Sequence, residues 1–141
     1  MNQLLEAKLD RSFTLTYDLV THLNEESLVL DLPNLPSNQI AGQLWCIVGA
    51  RESYLKAIEA GGWKGFSCSL KAPRVKESVL DVLGATYAHL KTIDFVALTN
   101  VQLDFGFNLL EHEIQHHGQL IRFVYGNKLT FPKSWNERYT V

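Results

Sequence analysis

The residues best suited to chemistry lie in one segment, Leu109 to Tyr125, LLEHEIQHHGQLIRFVY, which holds three of the chain's five histidines, His112, His116 and His117. At about 100° per residue it reads as a helix on which Leu109, His112, His116, Leu120 and Phe123 share one stripe. His112 and His116 are four residues apart, so their imidazoles project side by side from successive turns. Imidazoles on an inward stripe need partners, because a buried polar group left unpaired costs about 1–3 kcal/mol. Hydrogen bonds to neighbouring core residues are the plain way to meet that need; a divalent metal shared by both rings is the way that carries chemistry. His117 points about 100° away from the pair. It is expected beside the site, at an interface or in solvent.

The same string, His112-Glu113-Ile114-Gln115-His116, spells H-E-x-x-H, the zinc-protease pattern with Glu113 as general base. No further ligand motif follows it, and 141 residues leave little room for a substrate cleft and a second subdomain. A catalytic metal commonly takes three protein ligands and keeps one position open. Cys46 is the best third candidate, because a thiolate suits zinc and similar borderline metals. The plain reading of a buried cysteine is a small hydrophobe. His22 and His89 fall near helix ends and are expected to be exposed.

The elements that must hold these residues are helical. Leu5, Leu9, Phe13, Thr16, Leu19 and Leu23 recur at helical spacing, which predicts a first helix from Asn2 to about Asn24. A second begins near Ser37, with Ser37 or Asn38 as N-cap after Pro36, and stops at Gly61-Gly62. Its buried side is Ile40, Leu44, Ile47 and Leu55, with a strip of small residues, Cys46, Gly49, Ala50 and Ser53, alongside. A third runs from about Lys76 to Ile93. Residues 95 to 107, FVALTNVQLDFGF, are expected to be a long crossover, and the histidine helix to start near Phe105. On that helix a second apolar stripe holds Leu110, Ile114, His117, Ile121 and Val124, with Glu113 between the two stripes and Glu111, Gln115, Gly118 and Arg122 on the far side. So wide an apolar arc predicts a central position, a homodimer contact, or both. The tail LTFPKSWNERYTV is expected to pack back over one end. Four helices with such connections predict an all-α, antiparallel-type four-helix bundle in a single domain, residues 1–141.

Composition narrows the function classes. A net charge of -2 without a basic cluster argues against nucleic-acid binding. No apolar run reaches the ~18 residues of a membrane span, and MNQLLEAKLDRSF has no signal-peptide core. Cys46 and Cys68 do not make a disulfide framework, so a cytoplasmic location is expected.

LWCIVGARESYLKAIEAG, then HEIQHHGQLIRFVYGN, then FPKSW, in that order over most of the chain, resemble the DinB/YfiT-like family, bacterial four-helix bundles regarded as metal-dependent. The resemblance implies a metal held by one residue of the second helix and an H-x-x-x-H pair on the fourth, here His112 and His116. The family's second-helix ligand is typically histidine, in a pattern like L-W-H-x-x-G-A-R-E, and here Cys46 stands in that place. The resemblance thus implies a Cys46, His112 and His116 set for zinc or nickel, or a degenerate site if Cys46 has lost the role. A thiolate ligand would leave a bound water less acidic than three neutral imidazoles would. Some relatives are thiol-dependent transferases, so a small-molecule substrate or a low-molecular-weight thiol is the implied partner. Glu113 or Glu52 is the expected residue to orient a ligand imidazole.

Overall fold

The computed structural model describes residues 1–141, and they form five α-helices and no strand. In chain order these are α1 (Asn2–His22), α2 (Ile40–Ala60), α3 (Lys76–Leu90), α4 (Asn100–Gly126) and the short α5 (Lys133–Tyr139), with 3-10 turns at Glu25–Val29 and Phe95–Ala97. No helix is long and apolar enough to cross a membrane.

The helical spacing in α1 to α3 translates directly into burial. Leu5, Leu9, Phe13, Thr16 and Leu19 of α1, Ile40, Leu44, Ile47 and Leu55 of α2, and Val79, Leu83, Thr86 and Leu90 of α3 are all buried. The most extensive helix contact is α2 against α4, and α1 packs on both α3 and α4. The α2 helix ends where Gly61 takes a left-handed conformation (φ 70°), and the Gly62 N–H returns to the Ala57 carbonyl. Trp135 of α5 is fully buried and donates to the Leu15 carbonyl at 2.6 Å, which pins the tail against α1.

The α1 and α3 helices end at His22 and Leu90, short of the expected Asn24 and Ile93, and two helix starts also differ from those expected. The α2 helix starts at Ile40 because Ser37 and Asn38 place their side chains elsewhere. Ser37 Oγ accepts from the Leu32 N–H at 2.8 Å, and Asn38 Oδ1 accepts from Gln43 at 2.8 Å. The larger correction is at α4. Residues 100–107 are helical, so the connection from α3 spans residues 91–99 and the long crossover over 95–107 is absent. The cause is a reciprocal cap: Thr99 Oγ1 accepts from the Gln102 N–H, and Gln102 Oε1 accepts from the Thr99 N–H at 2.9 Å.

The core separates into two apolar clusters. One is built around Leu15, Leu19, Leu44, Ile47, Leu83, Leu120 and Trp135; the other around Leu5, Leu9, Phe13, Leu55, Leu90, Leu109 and Leu110. Between them each of α1 to α4 places buried polar side chains: Thr16 in α1, Arg51 in α2, Thr86 in α3, Glu113 and His117 in α4. Each has partners only in one axial register, so the layer ties the four helices together lengthwise.

Candidate functional site

The α4 helix carries two polar constellations back to back. Its most buried line runs through Gly106, Leu109, Leu110, Glu113, His117, Leu120 and Val124, so Glu113 marks the centre of the inward face. His112 and His116 flank that line and are half-buried.

The inward constellation is the polar layer. Arg51 forks onto Glu113, with Nε 3.1 Å from Oε2 and Nη2 bonded to Oε1. Its remaining donors reach Thr86 Oγ1 at 3.1 Å and the Phe13 carbonyl at 3.4 Å, and its guanidinium lies 3.7 Å from the centroid of the Phe13 ring. Thr16 Oγ1 lies 2.6 Å from Glu113 Oε1 and 2.7 Å from His117 Nε2, while His117 Nδ1 lies 2.6 Å from the Tyr139 hydroxyl. One assignment satisfies the chain: the Tyr139 O–H donates to Nδ1, the Nε2–H donates to Thr16, and Thr16 donates to Glu113. Burial alone would raise the Glu113 pKa. The Arg51 charge, supported by His117 and by the hydrogen bonds from Arg51, overrides it and brings the value down to about 2. His117 is therefore a fully buried member of this layer and has no solvent-facing or interfacial role. Glu113 is committed to Arg51 and Thr16, so it is no general base for the neighbouring histidines, and the H-E-x-x-H match carries no protease chemistry.

The outward constellation is the expected pair. The His112 and His116 rings lie side by side, with centroids 4.5 Å apart and planes 55° apart. His116 Nδ1 is 2.5 Å from Gln43 Oε1, and Gln43 Nε2 donates to Asn38 Oδ1. His112 Nδ1 is buried and has no hydrogen-bond partner. Burial and the neighbouring His112 depress the His116 pKa to about 4, and burial lowers that of His112 as well. Both shifts favour the neutral ring, the form in which imidazole binds a metal.

Two features of the pair suit a metal, the unpartnered Nδ1 of His112 and the side-by-side rings, but two donors are fewer than the three a catalytic metal commonly takes. The third candidate is placed differently. Cys46 is half-buried on α2, beside a groove lined by Asn38, Gln39, Trp45 and Arg74, and burial pushes its thiol pKa up. The fold brings His112 and His116 together and does not draw Cys46 into a three-donor cluster with them; no three His, Cys, Asp or Glu side chains converge as a metal site. Glu52, offered by sequence to orient an imidazole, instead accepts from the Ser69 N–H at 3.0 Å and the Ser69 hydroxyl at 2.5 Å. His22 and His89 pair with Thr130 and Glu59 at 2.8 and 2.7 Å, away from the pair.

Gln43 and Arg51 are the residues that sequence reasoning missed. Each is a lone polar residue on the apolar side of α2, in line with Ile40, Leu44, Ile47 and Leu55, and that isolation was the available signal. No protein-family model matches the chain, and no curated protein matches it significantly.

Proposed function

We propose that this chain is a DinB-like four-helix-bundle protein that binds one divalent metal, zinc or nickel, through His112, His116 and Cys46, and acts on a small molecule by metal-assisted transfer or hydrolysis. The observation that carries this reading is the side-by-side His112–His116 pair, with a buried nitrogen still lacking a partner. Cys46 lies three residues from Gln43, which touches His116, so the thiol is less than a turn along α2 from the residue that holds one ring. A metal held there would act as a Lewis acid with an open position for water or a low-molecular-weight thiol. The chain's own residues do the positioning: Gln43 holds one ring, and the Arg51–Glu113 pair holds α2 against α4. Phe107 and Ile114, exposed and two turns apart on α4, support a homodimer as the working form. A reducing cytoplasm is the compartment that suits two free thiols.

A non-catalytic bundle with a degenerate site is the second reading, favoured by the absence of a convergent third donor. In that case Cys46 is packing, and the protein serves as a binding module.

Zinc affinity of Cys46 variants separates the two. With Cys46 as a ligand, Cys46→Ser weakens binding at least about 10-fold and Cys46→His, which supplies the family's usual residue, restores or strengthens it. Unchanged affinity in Cys46→Ser removes the thiol from the ligand set.

A further inference from the structure

We infer that Gln43 is a positioning residue that presets His116 as the anchoring ligand by holding its imidazole in the Nδ1–H form, with the lone pair on Nε2; this rests on the metal-binding reading above. The polarity follows from the amide. Gln43 Nε2 donates to Asn38 Oδ1 at 2.8 Å, which turns Oε1 toward the ring, 2.5 Å from His116 Nδ1. A carbonyl oxygen only accepts, so Nδ1 carries the proton, and a neutral imidazole has just one.

Gln43 is 6% exposed, so little water competes for that carbonyl. The relay also has room made for it. A Cβ on Gly42 would lie 2.9 Å from Asn38 Nδ2, so the glycine lets Asn38 lean across the first turn of α2. His112 has no such restraint, because its Nδ1 is buried without a partner. The two rings are therefore unequal: Gln43 holds His116 in the metal-free chain, while His112 would be held only by a bound ligand. Ligand histidines whose second nitrogen is fixed by a hydrogen bond hold metal about 10–100-fold more tightly.

The test uses the full chain and two readouts. In metal-free protein, long-range nitrogen–proton correlation spectra should show His116 as the Nδ1–H tautomer. Gln43→Leu should lose that form and weaken zinc binding by about 10–100-fold in a chelator competition. Gln43→Glu, whose carboxylate accepts the same bond, should keep both the tautomer and the affinity. If Gln43→Leu does not fold, as circular dichroism would reveal, Asn38→Ala frees the amide and should give a mixed tautomer with a smaller loss of affinity. Nε2–H at His116 in the wild type overturns the inference, as does a folded Gln43→Leu that binds zinc like the wild type. Wild-type protein that binds no zinc overturns the metal reading and this inference together. Wild-type protein that binds while Gln43→Leu is unimpaired overturns this inference alone.

Discussion

Replacing Glu113 by Gln keeps the side chain's shape and removes its charge, which leaves the Arg51 guanidinium fully buried with no counter-ion. Removing one partner of a buried pair costs about 3–5 kcal/mol, because the desolvated charge that remains has nothing to offset it. The depressed Glu113 pKa points the same way. A fall from 4.5 to about 2 on folding corresponds to ~3 kcal/mol. That stability is complete above about pH 4.5 and is lost as the pH falls toward 2, since protons then bind the unfolded chain first. Urea unfolding at pH 7 should therefore show Glu113→Gln less stable by about 3–5 kcal/mol, a fifth or more of a typical total of about 5–15. Its melting temperature should fall by about 10–20 °C, and its stability should change less between pH 5 and 2.5 than that of the wild type. Replacing both residues by apolar ones, Arg51→Met with Glu113→Leu, should recover much of the loss. A Glu113→Gln protein within about 1 kcal/mol of wild type at pH 7, or one that keeps the full acid-side decline, would show that the Arg51–Glu113 pair does not carry this stability.

Tyr139→Phe removes the hydroxyl that donates to the buried Nδ1 of His117, so stability should drop by about 1–3 kcal/mol in the same urea assay. Thr99→Ala opens the reciprocal cap at the start of α4, and should cost about 1 kcal/mol while speeding amide exchange in the first turn of that helix. Gly49→Ala places a Cβ 2.2 Å from the Phe66 ring. That ring is 52% exposed and can swing away, so the stability loss should stay under about 1 kcal/mol while Trp45, whose ring centroid lies 5.3 Å from that of Phe66, changes its fluorescence emission.

Helix faces were legible wherever apolar spacing was strong. In α1 and α2 the residues expected inside are inside, since a 3.6-residue period needs only one covered side. On α3 the same spacing buries Val79, Leu83, Thr86 and Leu90 and leaves Val82 and, past the helix end, Ile93 partly exposed. The start of α4 was hidden because residues 98–107 have no clear apolar period, although Thr99-x-x-Gln102 is a capping-box spelling that marks it. The histidine pair was legible because four residues along a helix fix which rings are neighbours, whatever packs on them. Which flank of α4 faces inward was not, because two apolar stripes competed and the answer lies in another helix. Arg51 reaches across from α2 and draws Glu113 to the centre, which rotates His117 into the interior and leaves His112 and His116 half-exposed. The position of Cys46 depends on that same rotation of α2 against α4, which one helix's spacing does not encode.

The most direct test of the proposed metal site is metal content by elemental analysis of protein purified without an affinity tag. About one zinc or nickel per chain is expected, lost in His112→Ala and in His116→Ala while both variants remain folded. Wild-type protein that stays metal-free after incubation with zinc or nickel, and whose melting temperature neither ion raises, would contradict the proposed site.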